Sequence, residues 1–202
     1  MTLYDLKPRF QALLRPIAAW LAKAGITANQ VTLAAAAGSV VIGLVLGFWP
    51  ERRALFLLLP LWLFIRMALN AIDGMLAREF GQKSRLGAYL NELCDVVSDA
   101  ALTLPFALVA PFGMASVVAV VLLAMLAEYA GVMGPLAGAE RRYDGPLGKS
   151  DRALVFGALG LWTGLHLPMP EWLAWLMPLL AILLAVTVWN RVRRGIAQIE
   201  RQ

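Results

Sequence analysis

Cysteine is nearly missing from this chain of 202 residues: Cys94 stands alone, which excludes an internal disulfide and any Cys-x-x-Cys metal or redox motif. Histidine is as scarce, with His166 the only one. Charge is short as well, at 15% of residues against 60% hydrophobic, and the mean hydropathy of +0.70 is too apolar for a soluble domain of this length. A single polytopic membrane domain, residues 1-202, is the simplest reading. No uninterrupted apolar core of a cleavable signal peptide occurs in the first 23 residues, because Asp5, Lys7, Arg9, Arg15 and Lys23 are spread through them, so the N-terminus is expected to be retained. Internal repeats and low-complexity segments are absent. The net charge of +5 would suit nucleic acid, yet the positive residues sit in short loops between apolar runs. That placement points to lipid headgroups and membrane topology, and away from nucleic acid.

Along the chain, Leu6, Phe10, Leu13, Leu14, Ile17, Trp20 and Leu21 recur at helical spacing between basic residues. They predict an amphipathic helix over residues 1-24 lying on the membrane surface, ended by Gly25. Thr27 or Asn29 would cap a first span running to about Trp49. The second span starts at Ala54 and ends near Ala77, carrying Arg66, Asn70 and Asp73. The third is expected from Leu86 to about Pro111, and the fourth from Met114 to about Gly138, with Glu128 inside it. Residues 140–152 form the longest hydrophilic stretch, a loop with turn residues Pro146 and Gly148. The fifth span, Ala153 to Leu165, is short unless it begins near Lys149, and the sixth runs from Trp172 to Val192. This all-α bundle of six transmembrane helices, residues 27-195, places Arg52 and Arg53 outside and Arg66 within a span, with the other Lys and Arg residues inside. Both termini are then cytoplasmic by the positive-inside rule, with Trp49, Trp162, Trp172 and Trp175 near the outer interface and Trp20 and Trp189 near the inner one.

Carboxylates interrupt apolar sequence in one region, residues 70–99. Asn70 and Asp73 share a helix face, and Asn91, Asp95 and Asp99 fan over roughly 80° of the next helix, at about 100° per residue. A carboxylate within a span costs a few kcal/mol, so it survives by pairing, by holding a cation or by lining a wet cavity. Consecutive antiparallel helices joined by a short inner loop make that cavity open to the cytoplasm. Oxygen ligands without nearby His or Cys favour Mg²⁺ or Mn²⁺, ions that commonly hold a phosphate. Gly74 and Gly87 would let a ligand approach the backbone, and Arg78 could reach a phosphate or snorkel to headgroups. The structural alternatives are ion pairs of the aspartates with Arg66 or Arg78 and interhelical hydrogen bonding by Asn70 and Asn91.

The run Asp73-Gly74-x₂-Ala77-Arg78-x₈-Gly87-x₃-Asn91-x₃-Asp95 resembles the signature of the CDP-alcohol phosphatidyltransferases, D-x₂-D-G-x₂-A-R-x₈₋₉-G-x₃-D-x₃-D, in spacing at every position. The six-span layout with a surface helix is similar to that family across essentially the whole chain, and to a bacterial inner-membrane subgroup of it. The resemblance implies a homodimeric enzyme of the inner membrane with a cytoplasmic site. Such an enzyme holds two Mg²⁺ or Mn²⁺ ions, binds CDP-diacylglycerol, and transfers the phosphatidyl group to an alcohol while releasing CMP. By the same resemblance Asp73 bridges metals, Gly74 and Ala77 make room for the cytidine, Arg78 supports the nucleotide, and Asp95 is the metal-binding general base.

Two positions depart from that pattern, since Asn70 and Asn91 stand where the family has its first and third aspartates. An amide oxygen repays less of a cation's dehydration than a carboxylate. Glu92, Asp95 and Asp99 follow one another at i, i+3 and i+7 and with Asp73 restore four carboxylates, so the expected metal set is Asn70, Asp73, Asn91, Glu92, Asp95 and Asp99. Asn29 and Thr32 resemble the family's nucleotide contacts at the start of the first span. Gly148-Lys149-Ser150-Asp151-Arg152 resembles its inner G-K-x-x-T segment, from which Lys149 and Arg152 are expected to bind the acceptor's phosphate. The acceptor itself is open among glycerol phosphate, glycerol, another polyol and an amino alcohol. A non-catalytic nucleotide- or lipid-binding homologue is the competing function, motivated by the two asparagines. A proton or substrate transporter is a third, against which the carboxylates lie at one inner cavity without a polar relay on the outer halves of their helices.

Overall fold

The computed structural model describes residues 3–201, with side chains from Phe10 onward; Asp5, Leu6, Lys7 and Arg9 of the predicted surface stripe fall outside the described side chains. Every regular element among the described residues is helical: α1 (Leu3–Lys23), α2 (Ala28–Phe48), α3 (Leu58–Glu79), α4 (Arg85–Thr103), α5 (Met114–Leu136), α6 (Lys149–Gly164) and α7 (Leu176–Ile199). Short 3₁₀ turns precede α3 (Arg53–Leu57) and α7 (Glu171–Trp175) and follow α4 (Leu104–Leu108).

The ends of these helices follow from local chemistry. Gly25 adopts a left-handed φ of 77° after α1, and the bonds Gly25 N to Ala22 O and Ile26 N to Leu21 O close a Schellman turn that only a residue without Cβ adopts cheaply. Thr27 then opens α2 through a reciprocal pair: its Oγ1 accepts from Gln30 N and its own N donates to Gln30 Oε1, the capping-box arrangement. Of the two caps expected there, Thr27 therefore serves and Asn29 is left for other use. The third expected span, α4, stops at Thr103, eight residues before the expected limit at Pro111, because Pro105 lacks an N–H and disfavours helical backbone in the residue before it. The fifth begins at Lys149, the longer of the two sequence alternatives, with Asp151 Oδ2 accepting from Gly148 N at 2.8 Å.

Four segments are long and apolar enough to cross a membrane: Ala28–Phe48, Arg53–Glu79, Met114–Leu136 and Glu171–Ile199. The six expected crossings are thus reduced to four by length and composition. Helix α4 is disqualified by its polar stripe, and α6, with 16 residues, reaches roughly 24 Å at 1.5 Å per residue, short of a ~30 Å hydrocarbon core.

The chain divides into two compact units. The first comprises residues up to Val41 together with Leu61–Ser98. Its interior packs Leu14 and Ala18 of α1 against Ala28 and Val31 of α2 and Ile72, Met75 and Leu76 of α3, while Leu13, Ile17 and Trp20 of α1 stay exposed, as a surface helix facing acyl chains requires. Arg15 ties α1 to the end of α3 through Nε to Glu79 Oε2 at 3.0 Å and Nη2 to Glu79 Oε1 at 3.2 Å. Between α2 and α3, the indole of Trp62 occupies the space that a side chain on Gly38 would need, and its Nε1 donates to Ser39 Oγ at 2.9 Å.

The second unit comprises Ile42–Pro60 and the chain from Asp99 onward. Phe106 is its centre, with ring centroids of Phe56, Phe156 and Phe112 at 5.3, 5.6 and 6.0 Å, separations typical of stabilising aromatic pairs. Gly160 of α6 meets Leu59 so closely that a Cβ there would lie 2.7 Å from that side chain. The hydrophilic loop 140–148 is fastened to α7: Asp144 accepts from Arg142 and Arg194, Arg142 Nη1 donates to Gln198 Oε1, and Leu147 N donates to Thr187 Oγ1.

Candidate active site

The polar ends of α3 and α4 and the first turns of α2, all in the first unit, enclose a cleft of about 780 Å³. Helix α2 contributes Asn29 and Thr32, α3 contributes Asp73, Gly74, Ala77 and Arg78, and α4 contributes Gly87, Asn91 and Glu92; the loop 82–85 closes one side. The four α3 residues share a face because they fall within two turns at i, i+1, i+4 and i+5.

Asp73 is buried. The Thr32 hydroxyl lies 2.7 Å from its Oδ2 and 3.0 Å from Ala28 O; having one proton, it donates along the shorter, charge-assisted line to the carboxylate. Arg78 folds back over Gly74, where a Cβ would stand 2.6 Å from Nη2, so this glycine gives room to the guanidinium. Gly87 plays the same part toward Asn29, whose Oδ1 would be 2.7 Å from a Cβ on Gly87. Asn91 Nδ2 donates to Glu92 Oε1 at 3.2 Å, which turns the amide oxygen away from its neighbour. Gln82, which no sequence motif singles out, also lines the cleft: its Oε1 accepts from Ala28 N at 2.7 Å and its Nε2 donates to Ile26 O at 3.4 Å.

The oxygen donors on this cleft include the carboxylates of Asp73 and Glu92 and the amide of Asn91, with the side-chain oxygens of Asn29, Thr32, Gln82 and Ser84 on the same lining and no histidine or cysteine. Among the described residues no three His, Cys, Asp or Glu side chains form a metal-holding group by themselves. The set fits one hard divalent cation whose remaining positions are filled by oxygens of a bound ligand.

The other residues expected at the site lie elsewhere. Asn70 is half-buried on α3 and does not line the cleft. Asp95, on α4 one turn after Asn91, is also off the lining; its Oδ1 accepts from Arg66 Nη2 at 3.0 Å, and its main-chain O accepts from the same nitrogen at 3.2 Å. The ion pair weighed from sequence as the structural alternative for this residue is therefore present. Asp99, Lys149 and Arg152 belong to the second unit. There Arg152 Nη2 donates to Asp99 Oδ2 at 2.7 Å and to Glu128 Oε1 at 3.0 Å, and Lys149 opens α6.

A sequence profile described as CDP-alcohol phosphatidyltransferase matches residues 25–189. The chain is similar to "Inner membrane protein YnbA" of Escherichia coli (strain K12), 49% identical over 196 residues and 96% of each chain. It is also similar to a phosphatidylinositol phosphate synthase of Streptomyces avermitilis, 29% identical over 186 residues, which are 89% of this chain and 72% of the relative. Among solved structures, the phosphatidylinositol phosphate synthase of Mycobacterium tuberculosis in complex with manganese and citrate superposes with a TM-score of 0.74 at 25% identity, covering 90% of this chain and 88% of that one.

Proposed function

This chain belongs to the CDP-alcohol phosphatidyltransferase family, and from that premise we propose that it transfers the phosphatidyl group of CDP-diacylglycerol to an alcohol and releases CMP. The observation that carries the reading is the meeting of Asp73, Gly74, Ala77, Arg78, Gly87 and Asn91, positions of the spaced motif on two different helices, on one cleft that also takes in Asn29 and Thr32.

In this reading Arg78 binds the nucleotide end of the donor, and Asn29, seated in the space that Gly87 leaves open, hydrogen-bonds the same group. Thr32 orients Asp73. Asp73, Asn91 and Glu92 would hold a divalent cation. Manganese accompanies the related mycobacterial synthase; bound here, Mg²⁺ or Mn²⁺ would neutralise the pyrophosphate and make CMP a better leaving group. Asp95 accepts the proton of the alcohol as the alcohol oxygen bonds to the phosphorus that carries diacylglycerol, and the bond from that phosphorus to the CMP oxygen breaks. Lys149 and Arg152 position the acceptor. Helices α4 and α6 also cross the membrane in this reading, which gives six crossings, cytoplasmic termini and a cytoplasmic site in the bacterial inner membrane. The unit of function is a single domain working as a homodimer.

A second reading, a non-catalytic homologue that binds nucleotide or lipid, draws on Asn70, Asn91 and the ion-paired state of Asp95. One experiment separates the two: purified protein is given CDP-diacylglycerol and candidate alcohols with and without Mn²⁺, and the lipid product is identified by mass. Metal-dependent product with CMP release supports the transferase. Donor binding without any product supports the alternative.

A further inference from the structure

A second charged cluster, wholly within the second unit, bears on which alcohol is used. Arg152 is only 4% exposed, and Asp99 and Glu128 both accept from its Nη2. The other oxygen of Glu128, Oε2, lies 3.5 Å from Arg191 Nη1. Arg191 is occupied by the backbone, donating to Ala127 O and, through Nε at 3.3 Å, to Asp144 O. Two guanidiniums thus face two carboxylates.

Yet Arg152 is only partly satisfied. Its Nε and Nη1 are buried and make no hydrogen bond, leaving the N–H groups on those two atoms without acceptors out of five on the guanidinium. Buried donors without acceptors are uncommon in folded proteins and ask for an explanation such as an oxygen-bearing guest. The surroundings select the kind of guest. A phosphate would reach those donors only beside the Asp99 and Glu128 carboxylates, which hold the same guanidinium at 2.7 and 3.0 Å, and like charges at that spacing in a dry interior repel strongly. A hydroxyl group accepts from a guanidinium and donates to a carboxylate at once, and an alcohol with several hydroxyls does so repeatedly.

Resting on the transferase reading above, we infer that the acceptor is an uncharged polyhydroxylated alcohol held by Arg152 together with Asp99 and Glu128, and that Glu128 is the residue that turns phosphorylated acceptors away. This replaces the phosphate role that the sequence suggested for Arg152. The cluster is a neutral hydroxyl-binding site, and removing one carboxylate converts it to an anion-binding one.

The test pairs each polyol with its phosphate. The purified full chain in uncharged detergent micelles receives Mn²⁺, CDP-diacylglycerol and either glycerol or glycerol 3-phosphate, and in parallel either inositol or inositol phosphate. The uncharged member of at least one pair should be used with a kcat/KM at least about tenfold above its phosphate, and Glu128→Gln should cut that ratio about tenfold or more, since like-charge juxtaposition is a strong discriminator. A wild-type preference for the phosphorylated members overturns the inference, as does an unchanged ratio in Glu128→Gln. Absence of CMP release with every acceptor counts against the transferase reading; the inference is then decided by the thermal unfolding midpoint in the same micelles. A rise with saturating polyol that shrinks in Glu128→Gln and in Arg152→Lys upholds it. No rise means that water alone meets the two donors, and overturns it.

Discussion

Arg66 holds Asp95 at two points with one nitrogen, Nη2 standing 3.0 Å from the carboxylate Oδ1 and 3.2 Å from the main-chain carbonyl. A guanidinium on α3, itself buried, thereby fixes both the backbone and the rotamer of the proposed base on α4.

Asp95→Asn keeps that shape and removes the proton acceptor. It should lower CMP release by roughly 10²-fold or more, the usual contribution of a positioned general base, with the far-UV spectrum and unfolding midpoint little changed. Near wild-type turnover in this variant would move the base elsewhere, with Asp99 the next candidate.

Chelation should abolish transfer, and added Mg²⁺ or Mn²⁺ should restore it. Glu92 lines the cleft beside Asn91, so Glu92→Gln should raise the metal concentration needed for half-maximal activity by about tenfold, because a hard cation loses one charged oxygen. The double change Glu92→Gln with Asn91→Asp should recover most of that loss. A titration curve for Glu92→Gln that overlays the wild type would show that Glu92 holds no metal.

Gly74→Ala tests the seat of Arg78. The added Cβ would stand 2.6 Å from Nη2, and the far end of a flexible side chain yields before a helix does. Arg78 should swing out, raising KM for CDP-diacylglycerol about tenfold through loss of a charge-assisted contact, and Arg78→Ala should give a similar rise. A KM unchanged in both variants would remove Arg78 from donor binding.

Asp144 gives a pH dependence outside the membrane. Burial pushes its carboxyl up, but hydrogen bonds from Arg194 and Arg142, with their charges, outweigh burial and hold it below the ordinary carboxylate value. A carboxyl depressed in the folded state stabilises fully above its unfolded pKa of about 3.9, and that stabilisation is lost as pH falls through the lower folded value. The unfolding midpoint should therefore fall as the pH drops below about 4. Asp144→Asn should flatten that part of the curve, and an identical acid profile in the variant would assign the loss to other carboxylates.

What the sequence made legible and what it hid follow from range of interaction. Asp73, Gly74, Ala77 and Arg78 come to one cleft because they ride one helix, whose period is fixed, and the glycine stop at Gly25 is equally local. Partners were not legible. Helical angles place Asp95 and Asp99 on a stripe, but Arg66 is 29 residues from Asp95 and Arg152 is 53 from Asp99, and no periodicity links such distances. The ambiguity between Thr27 and Asn29 was settled by the Gln30 side chain, whose reach over the cap depends on its rotamer. The limit of α4 was readable in principle at Pro105, but the apolar run that continues beyond it masked the break.

The indole of Trp62, seated against Gly38 and bonded to Ser39, has a mechanical consequence. Sliding α3 along α2 by one turn, about 5.4 Å, would drive the indole off the gap at Gly38 and take its N–H away from Ser39. The two helices are consequently fixed in register, and a thicker or thinner bilayer is met by tilting them as a pair. Asn29 and Asp73 then keep their relative height whatever the lipid, so the cleft they share is insulated from changes in bilayer thickness.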